Sequence, residues 1–235
     1  MIGRGALTPG RDWCWMLLVG ALLSACGSGA RWDHTPREQH IVRSGETLYA
    51  IAFRYDKNPA DLARWNKLGS GSLIYPGQVI LLNPPPGMSA SAPTASPANR
   101  GQARLPPLPT AAPPAWQWPV PGKIAVEFGR RPGSGTGVLL AGKRGEAVRA
   151  AAAGRVVYSG SGLAGFGQLI IVKHNDTYLS AYGHNASLLV KEGQTVKKGQ
   201  RIATMGEGPG QAPRLHFEIR RNGKPVDPRR YLPAK

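Results

Sequence analysis

Few side chains of this sequence could hold a metal or perform acid–base chemistry. The 235 residues include two cysteines, Cys14 and Cys26, and five histidines. Because both cysteines lie within the first 26 residues, the rest of the chain can form neither a disulfide framework nor a thiolate metal cage. His174 and Asp176 are close in sequence, but their surroundings, "KHNDTY" between two apolar runs, are typical of a hairpin turn. We therefore expect no metal site at this turn.

The chain is strongly basic, with 30 Lys and Arg residues, 13 Asp and Glu residues and a formal charge of +17. This balance excludes a small acidic enzyme. Although a high positive charge usually suggests nucleic acid as a partner, the export signal described next makes nucleic acid an unexpected partner. Anionic lipid headgroups and cell-wall carboxylates would be available to an exported chain instead.

The N-terminus has the pattern of an export signal. An apolar run from Trp13 to Leu23 follows basic residues, and it is too short to span a bilayer comfortably. The run ends in "LSAC", which resembles the lipobox of bacterial lipoproteins. This resemblance implies a signal peptide over residues 1–25, a lipid anchor on Cys26 and a tether over residues 26–39. Because Gly27 follows the cysteine, it also implies sorting to the outer membrane, on the periplasmic face.

Proline content divides the remaining chain into two modules. Residues 84–119 contain 11 of the 22 prolines and lack apolar periodicity, so we predict a linker over residues 84–117. Proline-rich segments favour extended conformations of about 3.1 Å per residue. The linker separates an N-terminal module, residues 40–83, from a C-terminal domain, residues 118–235.

The N-terminal module is predicted to fold in the order strand, helix, helix, strand. Apolar residues from Leu48 to Tyr55 recur with the i, i+3, i+4, i+7 spacing of an amphipathic helix. Asn58 is a suitable N-cap, and the proline after it suits the first turn of a second helix. A Pro-Gly turn then precedes an apolar strand, Val79 to Leu82.

That order, together with "VRSGETLYAIAFRY", "DLARWNKL" and "IYPGQVILL", resembles a LysM domain. The resemblance implies a small α+β (βααβ) fold that binds the N-acetylglucosamine-containing glycan strands of peptidoglycan. The groove would lie between the loop entering the first helix and the loop before the last strand. The glycan-binding residues that it implies are Gly45, Glu46, Thr47, Leu48, Ile74, Tyr75 and Pro76. Turn formation or core packing is an equally good interpretation of any one of them.

The C-terminal domain is predicted to be mostly β. Six apolar runs are separated by turns rich in Gly, Asn and Asp, and no helical stripe interrupts them. The predicted strands are Lys123–Phe128, Gly154–Tyr158, Gln168–Val172, Tyr178–Tyr182, Arg201–Met205 and Leu215–Ile219. A sheet of this size can bury a core by itself.

Three phrases of this domain, "AAAGRVVYSGSGLAGFGQLIIVKH", "YLSAYGHNASLLVKEGQTVKKGQRIATMG" and "RLHFEIRRNGKPVDPRRYL", resemble the LytM, or lysostaphin-like, zinc endopeptidases. Active members bind zinc through a His, an Asp four residues later and the second His of a His-x-His pair. The resemblance places these positions at Gly135, Leu139 and His216. Arg214 stands where the pair has its first His, whereas His184 retains a further His of the family. Glycine and leucine cannot bind zinc, and the arginine would repel it.

A lipobox, one LysM domain and a LytM-like domain without its zinc ligands together resemble the NlpD-type murein hydrolase activators. The resemblance implies a non-catalytic protein without zinc or another cofactor. Its vacated groove would dock a periplasmic N-acetylmuramoyl-L-alanine amidase and activate it during wall remodelling and daughter-cell separation. The residues expected to line or rim this groove are Gly135, Leu139, His184, Arg214, His216, Arg130 and Arg131.

Two other functions remain open from the sequence. An active zinc endopeptidase would cut wall crosslinks in a chelator-sensitive reaction. A passive tether would join the membrane to the wall through the lipid anchor and the LysM module alone. For a tether, deletion of residues 115–235 would leave the cellular phenotype unchanged.

Overall fold

A computed structural model describes residues 38–68, 73–88, 111–130 and 135–234. The predicted signal peptide and the lipidation site Cys26 lie outside the described residues, as do most of the tether, much of the linker and Arg131. Within the described ranges, none of the helices has both the length and the apolar character needed to cross a membrane.

The N-terminal module has the predicted order of elements. They are β1 (Gln39–Ile41), α1 (Leu48–Arg54), α2 (Pro59–Trp65) and β2 (Val79–Leu81). The two strands pair antiparallel, with His40 opposite Ile80. The βααβ fold expected from the sequence is therefore confirmed.

Both helices begin where the sequence indicates. The Thr47 side chain accepts a hydrogen bond from the Ala50 N–H at the start of α1, and Asn58 does the same for Ala60 at the start of α2. These caps satisfy donors that the first helical turn leaves unpaired. The apolar stripe of α1 then packs on α2 and β2. The buried core of the module consists of Val42, Leu48, Ile51, Ala52, Leu62, Trp65, Ile80 and Leu82.

The Pro-Gly turn before β2 also forms as predicted. The Gln78 N–H donates to Tyr75 O at 3.0 Å, which closes the turn. Gly77 has a φ of 86°, the left-handed value that the third position of a type II turn requires. The turn leaves Tyr75 at the surface, 61% exposed.

The described part of the C-terminal domain forms a sheet of ten strands with two short 3-10 turns. The strands are β3 (Ile124–Val126), β4 (Val138–Ala141), β5 (Ala147–Arg149), β6 (Gly154–Gly160), β7 (Gln168–Lys173), β8 (Tyr178–Leu188), β9 (Thr195–Val196), β10 (Arg201–Met205), β11 (Arg214–Arg221) and β12 (Lys224–Val226). The 3-10 turns are Pro209–Gln211 and Pro228–Arg230. Six strands coincide with predicted ones, whereas β4, β5, β9 and β12 are absent from the prediction. Each of these four has two to four residues and depends on a neighbouring strand for its pairing.

The main sheet runs in the order β3-β4-β11-β8-β7-β6-β9, and its described pairs are antiparallel. Trp116, from the end of the predicted linker, is buried in the domain core beneath one face of the sheet. The Gln117 N–H next to it donates to Ala151 O at 2.8 Å. Core residues contributed by that face include Val138, Leu140, Ile170, Val172, Tyr182, Leu215, Phe217 and Ile219.

Alternate residues of the same strands point to the opposite face, which we call the site face. Because residues opposite each other on paired strands share a face, the strand register defines its members. They are Leu139, Tyr158, Leu169, Ile171, Leu179, Ala181, Gly183, His216, Glu218 and Arg220. Ala50 and Phe53 of α1 pack against part of this face.

Candidate functional site

The strand register places the retained histidine of the LytM-like pattern directly opposite a leucine. His216 on β11 pairs with Leu139 on β4 on one side and with Gly183 on β8 on the other. His216 and Leu139 are each 2% exposed. The position that supplies a metal-binding carboxylate in the resembled enzymes is therefore filled by an apolar side chain.

His216 is held closely by its neighbours on the site face. Its Nε2 lies 3.5 Å from Glu218 Oε2, and its ring packs edge-on against Phe166 at 5.2 Å between ring centroids. A Cβ at Gly137 would lie 2.9 Å from His216 Cε1, so this glycine gives the imidazole its space. The imidazole is thus packed in the protein instead of facing an open metal position.

His184 lies beside His216, with 6.0 Å between the ring centroids. Its backbone has a φ of 60°, an uncommon left-handed conformation for a residue other than glycine. Burial, followed by the proximity of His216, lowers the pKa of His184 to about 4. The pair therefore presents a neutral imidazole at His184 near neutral pH.

His174 and Asp176 lie in the turn between β7 and β8, as predicted. His174 Nδ1 lies 2.7 Å from Ala153 O, and its Nε2 lies 2.7 Å from Ser180 Oγ. Burial lowers the pKa of His174 to about 4, although the bond to Ala153 opposes the shift. This histidine belongs to a buried structural network.

The lowered pKa values of His174 and His184 predict that the chain loses stability in mild acid. The usual histidine pKa is about 6.5. Between pH 6.5 and about 4, His174 and His184 therefore bind protons in the unfolded chain but remain neutral in the folded chain. We expect the free energy of unfolding to fall through this window by about 2–3 kcal/mol for His174, and by less for His184 because solvent partly screens it. Urea denaturation at pH 7, 5.5 and 4.5 measures it. His184→Asn, which tolerates the left-handed backbone, should remove part of the slope, and a slope equal to the wild type would contradict this assignment.

Two charged members of the site face, Glu218 and Arg220, are not among the site residues predicted from the sequence. Glu218 is fully buried and Arg220 is 3% exposed. Arg220 donates to Glu218 Oε1 from Nε at 3.2 Å and from Nη2 at 3.0 Å. The alternation in "HFEIRR" could have indicated that His216, Glu218 and Arg220 share one face, but a charged strand end is normally interpreted as solvent-exposed.

The remaining predicted groove residues lie on or near the edge of this face. Arg214 begins β11 on the same face as His216 and is half-buried. Arg130 is exposed, and its backbone N–H donates to Glu127 O at 3.1 Å. Gly135 has a φ of 75°, and its carbonyl accepts from the Gly129 N–H at 3.0 Å. The structure thus gathers Leu139, His184 and His216 closely, while Arg130 and Gly135 lie in the loop that precedes β4.

The donor set of this site does not fit a catalytic zinc, which needs about three protein ligands and an open position. Across the described ranges, no group of three or more His, Cys, Asp or Glu side chains could hold a metal ion. Leu139 supplies no donor, and the Glu218 carboxylate is already paired with Arg220. The side chains present at this site therefore do not supply the ligand set of a catalytic zinc.

The predicted glycan groove of the N-terminal module has two different sides. Glu46 contacts His40 Nε2 and Arg54 Nη1, each at 2.6 Å, and the Arg43 N–H at 2.9 Å. Burial disfavours its ionisation, but these bonds outweigh burial and lower the pKa of Glu46. Thr47 caps α1, and Leu48 is buried in the module core. These three side chains therefore have structural contacts of their own.

The other side of this groove is more accessible. Ile74 is half-buried, and Tyr75 and Pro76 are exposed. On the entering loop, Gly45 has a φ of 77° and is also exposed. An exposed tyrosine ring beside a turn can pack on a sugar face, so Tyr75 remains the leading prediction for glycan contact.

Comparison with known proteins decides the family. A LysM domain model matches residues 40–83, and the model described as Peptidase family M23 matches residues 133–228. The "Lipoprotein NlpD/LppB homolog" of Pseudomonas aeruginosa is 38% identical, covering 93% of this chain and 92% of that protein. The chain belongs to the NlpD/LppB lipoprotein family. The resemblance inferred from the sequence motifs is thereby confirmed.

Two further matches each cover about half of this chain. The "Murein hydrolase activator NlpD" of Escherichia coli K12 is 55% identical over 51% of this chain, which spans only 32% of that protein. A solved structure of a zinc-containing peptidase from Vibrio cholerae is 31% identical. It covers 49% of this chain and 39% of its own, with a TM-score of 0.43.

Proposed function

We propose that this NlpD/LppB family member is a non-catalytic activator of a periplasmic N-acetylmuramoyl-L-alanine amidase. The observation that carries the proposal is the pairing of Leu139 with His216 on an otherwise well-packed M23 sheet. A domain that keeps its fold while losing its metal donors retains a shaped surface but not the hydrolytic chemistry of its fold family.

The name of the E. coli relative, a murein hydrolase activator, supports this proposal. The LysM module supplies attachment to peptidoglycan glycan strands, with Tyr75 and its turn on one side of the groove and Gly45 to Leu48 on the other. The lipid on Cys26 supplies attachment to the outer membrane. The linker of more than 30 residues then lets the M23 domain act at a distance from the anchor.

The site face suits a protein partner because it combines apolar and cationic groups. Arg214 stands at the start of β11, two residues before His216 and on the same face. Guanidinium groups bind carboxylates with two parallel hydrogen bonds and are frequent interface anchors. His184 is neutral, so it can pack against an apolar partner group without a charge to desolvate.

Charge reversal at Arg214 tests this surface. In Arg214→Glu we expect the chain concentration that gives half-maximal amidase stimulation to rise by about tenfold, since an interface arginine commonly contributes this much. Release of dye-labelled fragments from isolated sacculi by a purified amidase, with and without the chain, measures stimulation. The matched control is Arg201→Glu, an equal charge change at an exposed position of β10.

The control separates a local effect from the loss of net positive charge. Equal weakening by both substitutions would show that only the overall charge attracts the amidase or the wall. If the wild-type chain stimulates none of the amidases of its source organism, the proposed function itself is overturned.

A further inference from the structure

The LysM module sits on the site face of the M23 domain. Helix α1 has two apolar faces: Leu48, Ile51 and Ala52 pack in the LysM core, whereas Ala50 and Phe53 pack on the M23 sheet. The sheet residues in this contact include Tyr158, Leu169, Ile171, Leu179 and Ala181. Because these share the site face with His216 and Glu218, α1 covers part of the surface that the proposed function assigns to the amidase.

The contact reaches His216 through a single aromatic ring. Phe53 of α1 packs edge-on against Phe166, with 5.3 Å between centroids. Phe166 in turn packs edge-on against His216 at 5.2 Å. The helix therefore lies one side chain away from the vacated metal position.

A charged group locks the end of the helix in place. Arg220 Nη1 donates to Phe53 O at 2.8 Å and pairs with Asp56 Oδ1 at 2.8 Å. Its guanidinium lies 3.6 Å from the centroid of the Phe53 ring. A Cβ at Gly223 would lie 2.2 Å from Lys57 O, so the two backbones approach each other closely at this point.

These contacts favour a reversible interface over a permanent core. Interfaces between domains of one chain resemble transient protein–protein interfaces. Arg220 is the charged group in this contact: undocking would remove Phe53 O and Asp56 from its guanidinium and return water to it, while its bonds to Glu218 lie within the sheet. Hydration of this guanidinium offsets part of the apolar contact that undocking would lose.

The loop that enters α1, through Thr47, and the last residue of α1, Arg54, take part in the same interface. Thr47 Oγ donates to Val157 O at 3.3 Å, and Arg54 Nη2 donates to Gly162 O at 3.3 Å. Thr47 is also one of the residues assigned to the glycan groove. A glycan strand that engages this loop would therefore compete with the M23 domain for it.

We propose that α1 is a self-inhibitory plug of the amidase-docking surface and that binding of wall glycan to the LysM module releases it. This proposal rests on the proposed function. In the docked state α1 covers part of the surface that the amidase would bind. The apparent affinity of the chain for the amidase is therefore the intrinsic affinity multiplied by the undocked fraction of the chain. Activation would then be confined to molecules that are attached to the wall.

The test uses full-length chain carrying Phe53→Lys, with Ile41→Lys as the matched control. Lysine at position 53 removes the ring contact with Phe166 and places a second cation beside Arg220, while Phe53 is absent from the LysM core cluster. Ile41 lies in the same module and is 63% exposed. We expect faster amide hydrogen exchange in the 161–167 loop and half-maximal amidase stimulation at an about tenfold lower concentration, corresponding to a minor undocked population in the wild type.

A second variant and a ligand complete the experiment. Asp56→Asn removes one ion pair and keeps a residue that tolerates the φ of 51°, so it should shift both readouts in the same direction by less. An N-acetylglucosamine tetramer should shift the wild type and leave Phe53→Lys unchanged. Exchange rates that match Ile41→Lys in both interface variants would overturn docking, and a tetramer without effect would overturn release by glycan.

Hydrogen exchange and amidase stimulation test the docking of α1 and the proposed function separately. If no form of the chain stimulates an amidase, the proposed function fails, while the exchange rates still decide whether α1 is docked. If Phe53→Lys undocks and stimulation stays at the wild-type level, α1 is not a plug.

Discussion

Arg220→Met is expected to lower the free energy of unfolding by about 3–5 kcal/mol, which is the usual cost of removing one partner of a buried ion pair. Glu218 is fully buried, and its carboxylate accepts two hydrogen bonds from Arg220. Without the guanidinium, the buried carboxylate loses its charged partner and two hydrogen bonds. Phe53 O would lose a donor as well. Urea denaturation at pH 7, followed by circular dichroism, measures the loss.

Two controls distinguish the buried pair from an ordinary surface pair. Arg229 also contacts two carboxylates, Asp227 at 3.1 Å and Glu127 at 3.2 Å, but its side chain is 50% exposed. Arg229→Met should therefore destabilise the chain much less than Arg220→Met does. Replacing both members of the buried pair, Arg220→Met with Glu218→Leu, should recover most of the loss because no unpaired charge remains. A double variant as unstable as the single one would contradict the explanation.

Leu139→Asp is expected to lower the free energy of unfolding by a similar amount, and added zinc should reverse part of this loss. Leu139 is 2% exposed, so the substitution buries a carboxylate and should cost about 3 kcal/mol or more. The new carboxylate would stand directly opposite His216, where paired Cβ atoms are about 4.5–5.5 Å apart. These two side chains have the chemistry and spacing to share a zinc ion.

Added Zn2+ should therefore stabilise Leu139→Asp and leave the wild type almost unchanged. A free concentration 100 times the dissociation constant would return about 2.7 kcal/mol. Thermal unfolding with and without millimolar Zn2+ measures this response. Leu139→Asn serves as the control, since it is similar in shape but lacks the charge. Stabilisation of the wild type to the same extent would show that the native site already binds zinc.

Much of the fold follows from local signals in the sequence. The stripe of α1, the Asn58 cap and the Pro-Gly turn each act within a few residues, so the LysM order could be predicted closely. The longer strands carry their own apolar runs. By contrast, β4 is a four-residue strand after a glycine-rich stretch, and its place between β3 and β11 depends on pairing with distant residues.

The site could be predicted only in part, for a related reason. The resemblance assigns positions to Leu139 and His216, and the register shows that the two residues face each other. Arg220, which pairs with Glu218, is covered by α1 from another module more than 150 residues earlier in the chain. Phe53 likewise lies within a helix whose predicted stripe points elsewhere. No local sequence pattern shows whether an apolar helix residue such as Phe53 packs within its own module or against another domain.

We propose that this M23 domain acts on the cell wall only through another enzyme. Mass spectrometry of the products released from isolated sacculi tests it most directly, using purified chain with Zn2+, amidase alone, and both together. We predict that the chain alone leaves crosslinking peptides intact and that the mixture releases more amidase product than the amidase does alone. Cleavage of peptide crosslinks by the chain alone, lost when zinc is removed, would contradict the account.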